Sequence, residues 1–222
     1  MPLKRLKGYI LVKAAFFCLG LCFFAGCQSA YYKTMETFGI HKRDVMVDRV
    51  QYARDAQEEA KEEFQSTLEK FRGVVKVEGG ALEEKYETLN DAYKRSKSKS
   101  DAVKRRIESV EDVSKALFAE WETELTQYTN DSLRQASKRK LDQTRRHYAQ
   151  LIRAMKRAEK KIRPVLSAFY DQVLFLKHNL NAHAIASLRN EFRSIESDVA
   201  SLIREMEQSI AEADAFINAM GK

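Results

Sequence analysis

Residues able to attack a carbonyl, move a proton or ligate a metal are present in this chain, but their spacing suits none of those tasks. The three cysteines, Cys18, Cys22 and Cys27, fall in one apolar stretch near the start, and no thiol follows. Two of the four histidines, His178 and His183, stand in "KHNLNAH" across a turn signal. A metal held on one helix face wants ligands three or four residues apart, so this pair reads as solvated capping residues. His41 and His147 stand alone. Glu58-Glu59 and Glu62-Glu63 have the composition of acid/base dyads, yet they belong to the outward face of a charged helix, where carboxylates are simply hydrated. No glycine-rich phosphate loop, nucleophile elbow or metal motif occurs. The sequence assigns no catalytic, cofactor-binding or metal-binding residue and no small-molecule substrate, and an enzyme is not expected.

The cysteines take their meaning from their surroundings. Lys4, Arg5 and Lys7 precede an apolar run from Ala14 to Ala25, closed by the small pair Ala25-Gly26 ahead of Cys27. A positive start, a short apolar middle and small residues at the cut describe an export signal. The run falls short of the roughly 20 apolar residues that a membrane span requires. Phe24-Ala25-Gly26-Cys27 resembles the box that ends a bacterial lipoprotein signal, with Phe24 where Leu is usual. That resemblance implies removal of residues 1–26, lipidation of Cys27, a linker over 27–43 and a domain over 44–220. Cys18 and Cys22 then leave with the signal, which excludes disulfides, thiolate–metal sites and a cysteine nucleophile from the mature chain. Each buried methylene contributes about 0.8 kcal/mol and two chains already anchor stably, so a triacylated cysteine is a permanent membrane anchor. By analogy with enteric sorting, Gln28 after the cysteine favours the outer membrane, with the domain facing the periplasm.

Removing Lys4, Arg5, Lys7 and Lys13 lowers the formal charge from +7 to +3. Most of the basic excess therefore belongs to the signal, and a nucleic-acid partner is not expected of an exported chain. What remains is rich in Ala, Glu, Lys, Arg, Leu and Gln, with Pro164 its one proline. Such composition with a sustained helical period marks long helices or a coiled coil.

Four apolar seams step by alternate threes and fours. The first runs Met46, Val50, Ala53, Gln57, Ala60, Phe64, Thr67, Phe71, Val74, and predicts a helix over about 44–76. Gly79-Gly80 is a stop and turn. The second runs from Leu82 through Leu89, Ser96, Ser100, Val103, Ile107, Val110 and Leu117 to Trp121, Glu124 and Tyr128, weakened at the serines and at Glu124. "TNDS" breaks it, with Ser132 and Gln135 spaced as a capping box. The third runs from Leu141 through Leu151, Met155, Ile162, Val165 and Phe169 to Leu180. It keeps phase across Pro164, which predicts a kink and not a stop. After "NLNAH" the fourth runs from Ile185 to Met220. Short connections make neighbours antiparallel. The expected fold is all-α: an elongated, coiled-coil-like antiparallel four-helix bundle with two longer central helices, about 70 Å against about 50 Å for the outer two. The central pair should extend alone beyond the others, roughly from Ser114 to Tyr148.

Charge divides the helices. Arg134 to Arg163 carries twelve bases against Asp142 and Glu159, whereas Asp44–Lys70 and Ile185–Asp214 each carry a local −4. The plain expectation is a basic third helix flanked by the acidic first and fourth, a pattern that sets pairing more than stability. The start of the third helix should lack those partners. Its cluster Arg134, Lys138, Arg139, Lys140, Arg145 and Arg146 is the candidate surface for anionic lipid, with Trp121, Tyr128 and Tyr148 as possible interfacial aromatics.

"HKRDVMVDRV", "LEEKYETLND", "ALFAEWETEL" and "DQVLFLKHNLNAHAIASL" together resemble an uncharacterised proteobacterial lipoprotein family, the domain-of-unknown-function group two-nine-five-nine. The resemblance covers nearly the whole mature chain. It implies an exported helical protein and no reaction. The expected role is a non-catalytic scaffold or adaptor of the envelope, attached to membrane through its anchor and engaging a helical partner or a second copy. The Ser96–Ser100 gap and the exposed extension are its expected contact points. The alternative is a lipid-binding or membrane-remodelling helical protein.

Overall fold

The computed structural model describes residues 41–76, 81–179 and 182–221. The chain divides into two compact units, Met1–Val45 and Met46–Lys222. Of the first, only the opening of the first helix falls among the described residues, and the signal, Cys27, the glycine turn at 77–80 and residues 180–181 lie outside them. Four helices follow in order: α1 Lys42–Lys76, α2 Leu82–Leu125, α3 Asp131–His178 and α4 Ala182–Met220. They are 35, 44, 48 and 39 residues long, so the central two are the longest, as the seams require. No strand occurs among the described residues.

Within the second unit the apolar seams meet. All nine α1 seam positions, Gln57 and Thr67 included, are buried. So are Leu89, Ser96, Val103, Ile107, Val110, Ser114 and Leu117 of α2. Each large apolar side chain withdrawn in this way contributes about 1.5–3 kcal/mol, and the stripe of such residues holds helices whose polar faces would not associate. The directions follow from cross-helix pairs. Glu59 meets Lys99 and Glu63 meets Arg95, so α1 and α2 run antiparallel. Glu111 pairs with Lys156 and Glu122 with Arg145 between α2 and α3. Arg157 pairs with Glu205, and Lys161 bonds Ser201, between α3 and α4. Arg54 pairs with Asp214 and Arg72 with Glu196, closing the ring between α1 and α4.

This order makes α1 and α3 diagonal. They touch through the core, where Phe71 and Phe64 lie 4.9 and 6.1 Å from the ring of Phe169. The expectation that acidic α1 flanks basic α3 is therefore corrected: Glu59 and Glu63 of α1 pair with α2, and α3 takes its cross-helix acids from Glu111 and Glu122 of α2 and Glu205 of α4. Pro164 stands on the exposed side of a continuous α3 with Val165 buried beside it. The helix runs through it, as the unbroken phase demanded.

The seam departs from expectation at three places. Ser96 is no gap, since its hydroxyl lies 2.9 Å from that of Thr67 in the core. Glu124 and Tyr128 are exposed, and α2 ends at Leu125 before reaching Tyr128. The proposed capping box is absent: α3 begins at Asp131, and the side chain of Asn130, not Ser132, accepts the Leu133 amide proton at 3.1 Å. Asn130 takes the cap because its short amide reaches the third amide of the helix from an extended backbone.

Candidate functional site

Among the described residues of the second unit, two places hold the polar residues that the sequence singled out or bring unpaired cations beside aromatic rings. The first is the tip of the α2–α3 hairpin. Core burial persists to Leu117 and Phe118 on α2 and resumes at Leu141 on α3, so the exposed extension is shorter than the expected Ser114–Tyr148. The register of Arg157 with Glu205 continues until Met220 of α4 falls level with Asp142, which accounts for cover over Leu141 and Thr144. Trp121 is half-buried and its indole N–H donates to Ser137 Oγ at 2.8 Å, stitching the two arms. It belongs to the hairpin, and so does Tyr148, whose ring meets Phe118 edge-on at 5.5 Å. Burial pushes the Tyr148 phenol up, against a smaller opposing effect of its hydrogen bond with Ser114.

The six basic residues singled out on α3 do not act alike. Arg134 pairs with Asp131 at 2.6 Å and Lys138 with Asp142 at 3.2 Å, both along their own helix. Arg145 reaches Glu122 of α2 at 2.8 Å and lies 5.2 Å over the Phe118 ring. That partner was missed because pairing was sought on α1 and α4, whereas a hairpin brings α2 alongside first. Arg139, Lys140 and Arg146 are exposed and make no ion pair among the described residues. Tyr128 and Leu133, at the turn and in the first turn of α3, are also exposed, at 41% and 57%. The tip thus joins unpaired cations to two uncovered apolar side chains.

The second place is a groove of about 620 Å³ between α2 and α3, bordered by Ser100, Lys104, Lys156, Lys160, Arg163 and Tyr170. It opens where the seam has a serine: Ser100 is half-buried and too small to fill the space between the helices. At one end Tyr93 and Tyr170 rings stand 5.3 Å apart. Lys156 is held by Glu111 at 3.0 Å and Glu159 at 3.2 Å. Burial works to depress its ammonium, but the hydrogen bonds to those carboxylates and their charges together outweigh it and raise the pKa. Lys160 and Arg163 have no ion pair among the described residues. Asp101, the acid across the groove, is bonded to Lys97 at 2.8 Å. Fixed cations beside aromatic rings can bind; with its acids tied to lysines, the groove offers no poised general base.

The other sequence candidates disperse. His178 closes α3 in an exposed position, and His183 falls in the opening turn of α4. Glu58 pairs with Lys61, while Glu59 and Glu63 turn toward α2 and only Glu62 points away as a hydrated carboxylate. Among the described residues no group of three or more His, Cys, Asp or Glu side chains is arranged to hold a metal. No helix there is long and apolar enough to cross a membrane. No curated protein matches the chain. The family model described as "Protein of unknown function (DUF2959)" matches residues 31–220, and this chain belongs to that family.

Proposed function

We propose that this chain is a lipoprotein of the cell envelope, tethered through Cys27 to the outer membrane with its bundle in the periplasm, and that it serves there as a non-catalytic scaffold or adaptor. The observation that carries this reading is the division of each helix into a dry seam and a charged outer face. Most apolar side chains are consumed by the four-helix core, and what remains for function is chiefly long lines of exposed charge. Such faces engage other helices, from a different envelope protein or from a second copy. Chemical crosslinking in native membranes followed by pull-down tests it. Recovery of a defined envelope partner or of crosslinked copies is expected, and recovery of monomer alone overturns it. Mass spectrometry tests the anchor separately: an intact leader with bare thiols would remove it.

The hairpin tip favours a second reading, a protein that binds or deforms a bilayer directly. Unpaired Arg139 and Lys140 follow exposed Leu133 within about two turns of α3, with Tyr128 exposed in the turn before it, and a base close to an anionic surface adds about 1 kcal/mol. Flotation with anionic vesicles at low salt discriminates, since this reading needs binding without any protein partner.

A further inference from the structure

The seams fix which side chain of every heptad points furthest from the core. On α3 that outermost position is occupied in four successive heptads by Arg139, Arg146, Arg153 and Lys160, with Ser132 before them and Ser167 and Leu174 after. All four bases are exposed and none makes an ion pair among the described residues. On α1 the outermost position is held in four successive heptads by Asp48, Asp55, Glu62 and Glu69, before Lys76 ends the helix. Asp48, Glu62 and Glu69 are exposed and Asp55 keeps 45% of its side chain accessible. Asp55 bonds Arg54 and Gln51 and Glu69 bonds Arg72, all on their own helix, and Asp48 and Glu62 make no ion pair among the described residues. The outermost positions of α2 and α4 show no such uniformity: Asp91, Ser98, Arg105 and Asp112 on one, Ser197, Arg204 and Ala211 on the other.

The two ladders match in length, each spanning about 31 Å at 1.5 Å per residue. Because α1 and α3 are diagonal, the ladders look out from opposite sides of the bundle. Neither can satisfy the other within one chain. We infer that they satisfy one another between chains, the α1 face of one copy docking on the α3 face of the next. The inference deepens the scaffold reading, on which it rests, by naming the partner as a second copy. A contact between two different faces is heterologous, and faces on opposite sides of a molecule propagate it into an open row. The helices α1 and α3 run in the same direction, so the ladders meet in parallel and every copy keeps the start of α1 at the same end. Exposed ion pairs are individually weak. The row therefore depends on low ionic strength or on the high effective concentration that tethering to one surface supplies.

Sedimentation velocity of the full-length chain, purified in a zwitterionic detergent, reads this directly. Association is expected at low salt and dissociation at about 0.3 M, where the screening length falls well below 10 Å. One variant reverses the α3 ladder (R139E, R146E, R153E, K160E) and another reverses the α1 ladder (D48K, D55K, E62K, E69K). Each alone should sediment as a single copy, and an equal mixture should associate, because each then offers the face the other lacks. Far-UV circular dichroism checks folding, and Gln replacements at the same positions serve if a reversed variant unfolds. Wild type that stays single at low salt overturns the inference, as does a folded reversed variant that still self-associates. If wild type stays single while crosslinking recovers another envelope protein, self-association fails and the scaffold reading stands.

Discussion

The ring of Phe71 stacks on that of Phe169 with centroids 4.9 Å and planes 14° apart, across the diagonal of the bundle. Phe64 approaches the same ring at 6.1 Å. Helices on a diagonal seldom touch unless large side chains bridge the centre, so this cluster ties α1 to α3 where ion pairs cannot. Phe169→Ala is expected to cost about 3–5 kcal/mol, the usual result of emptying a buried aromatic site. Urea unfolding followed by circular dichroism measures it. A loss below about 1 kcal/mol would mean that the neighbours collapse into the space.

Gln57 sits in the α1 seam with 0% exposure, and neither its amide nitrogen nor its carbonyl oxygen has a hydrogen-bond partner; Ser209 Oγ on α4 is in the same condition. A buried polar atom left unpaired costs about 1–3 kcal/mol. Gln57→Leu keeps roughly the same volume and removes the penalty, so the variant should be more stable by about that amount, read as a higher urea midpoint with unchanged slope. A drop in stability would instead reveal a bound water that the leucine evicts.

Tyr148 carries a pH prediction. Burial raises its phenol pKa in the folded state, so folding favours the protonated ring. That contribution is whole below the unfolded value of about 10 and disappears as pH climbs through the folded value. Tyr148→Phe retains the edge contact with Phe118 and has nothing to titrate. Comparing urea midpoints near pH 8 and above about pH 10, wild type should lose more stability than the variant. Equal losses would place the phenol in water.

Periodicity was sufficient for the helices. The α1 seam is buried at every position named for it, and α3 keeps its phase through Pro164. Local hydrogen-bond competition was harder to see. Asn130 and Ser132 are both good caps by residue type, and only the extended backbone at Asn130 decides between them. Pair partners were harder still, because a charge sum per helix says nothing about which helix lies beside which. Glu59 and Glu63 turned to Lys99 and Arg95, not to α3. The groove was half legible: serine spacing marked both Ser96 and Ser100, but whether a serine leaves a space depends on a partner such as Thr67 across the seam.

Trp121 is the only tryptophan in the chain, and its fluorescence therefore reports the hairpin tip alone. Past Phe118 and before Leu141 nearly every side chain is exposed or half-exposed, so the tip lacks the burial that makes the rest cooperative. Its arms are joined by the indole bond to Ser137 at 2.8 Å and by Glu122 with Arg145. Regions with few buried contacts open at lower free energy than the core. The fluorescence midpoint in urea is expected to precede the circular dichroism midpoint. Ser137→Ala should lower the first by the equivalent of about 1 kcal/mol, the net contribution of one hydrogen bond, and leave the second in place. Coincident curves in both proteins would make the tip part of the same cooperative unit as the Phe64–Phe71–Phe169 core.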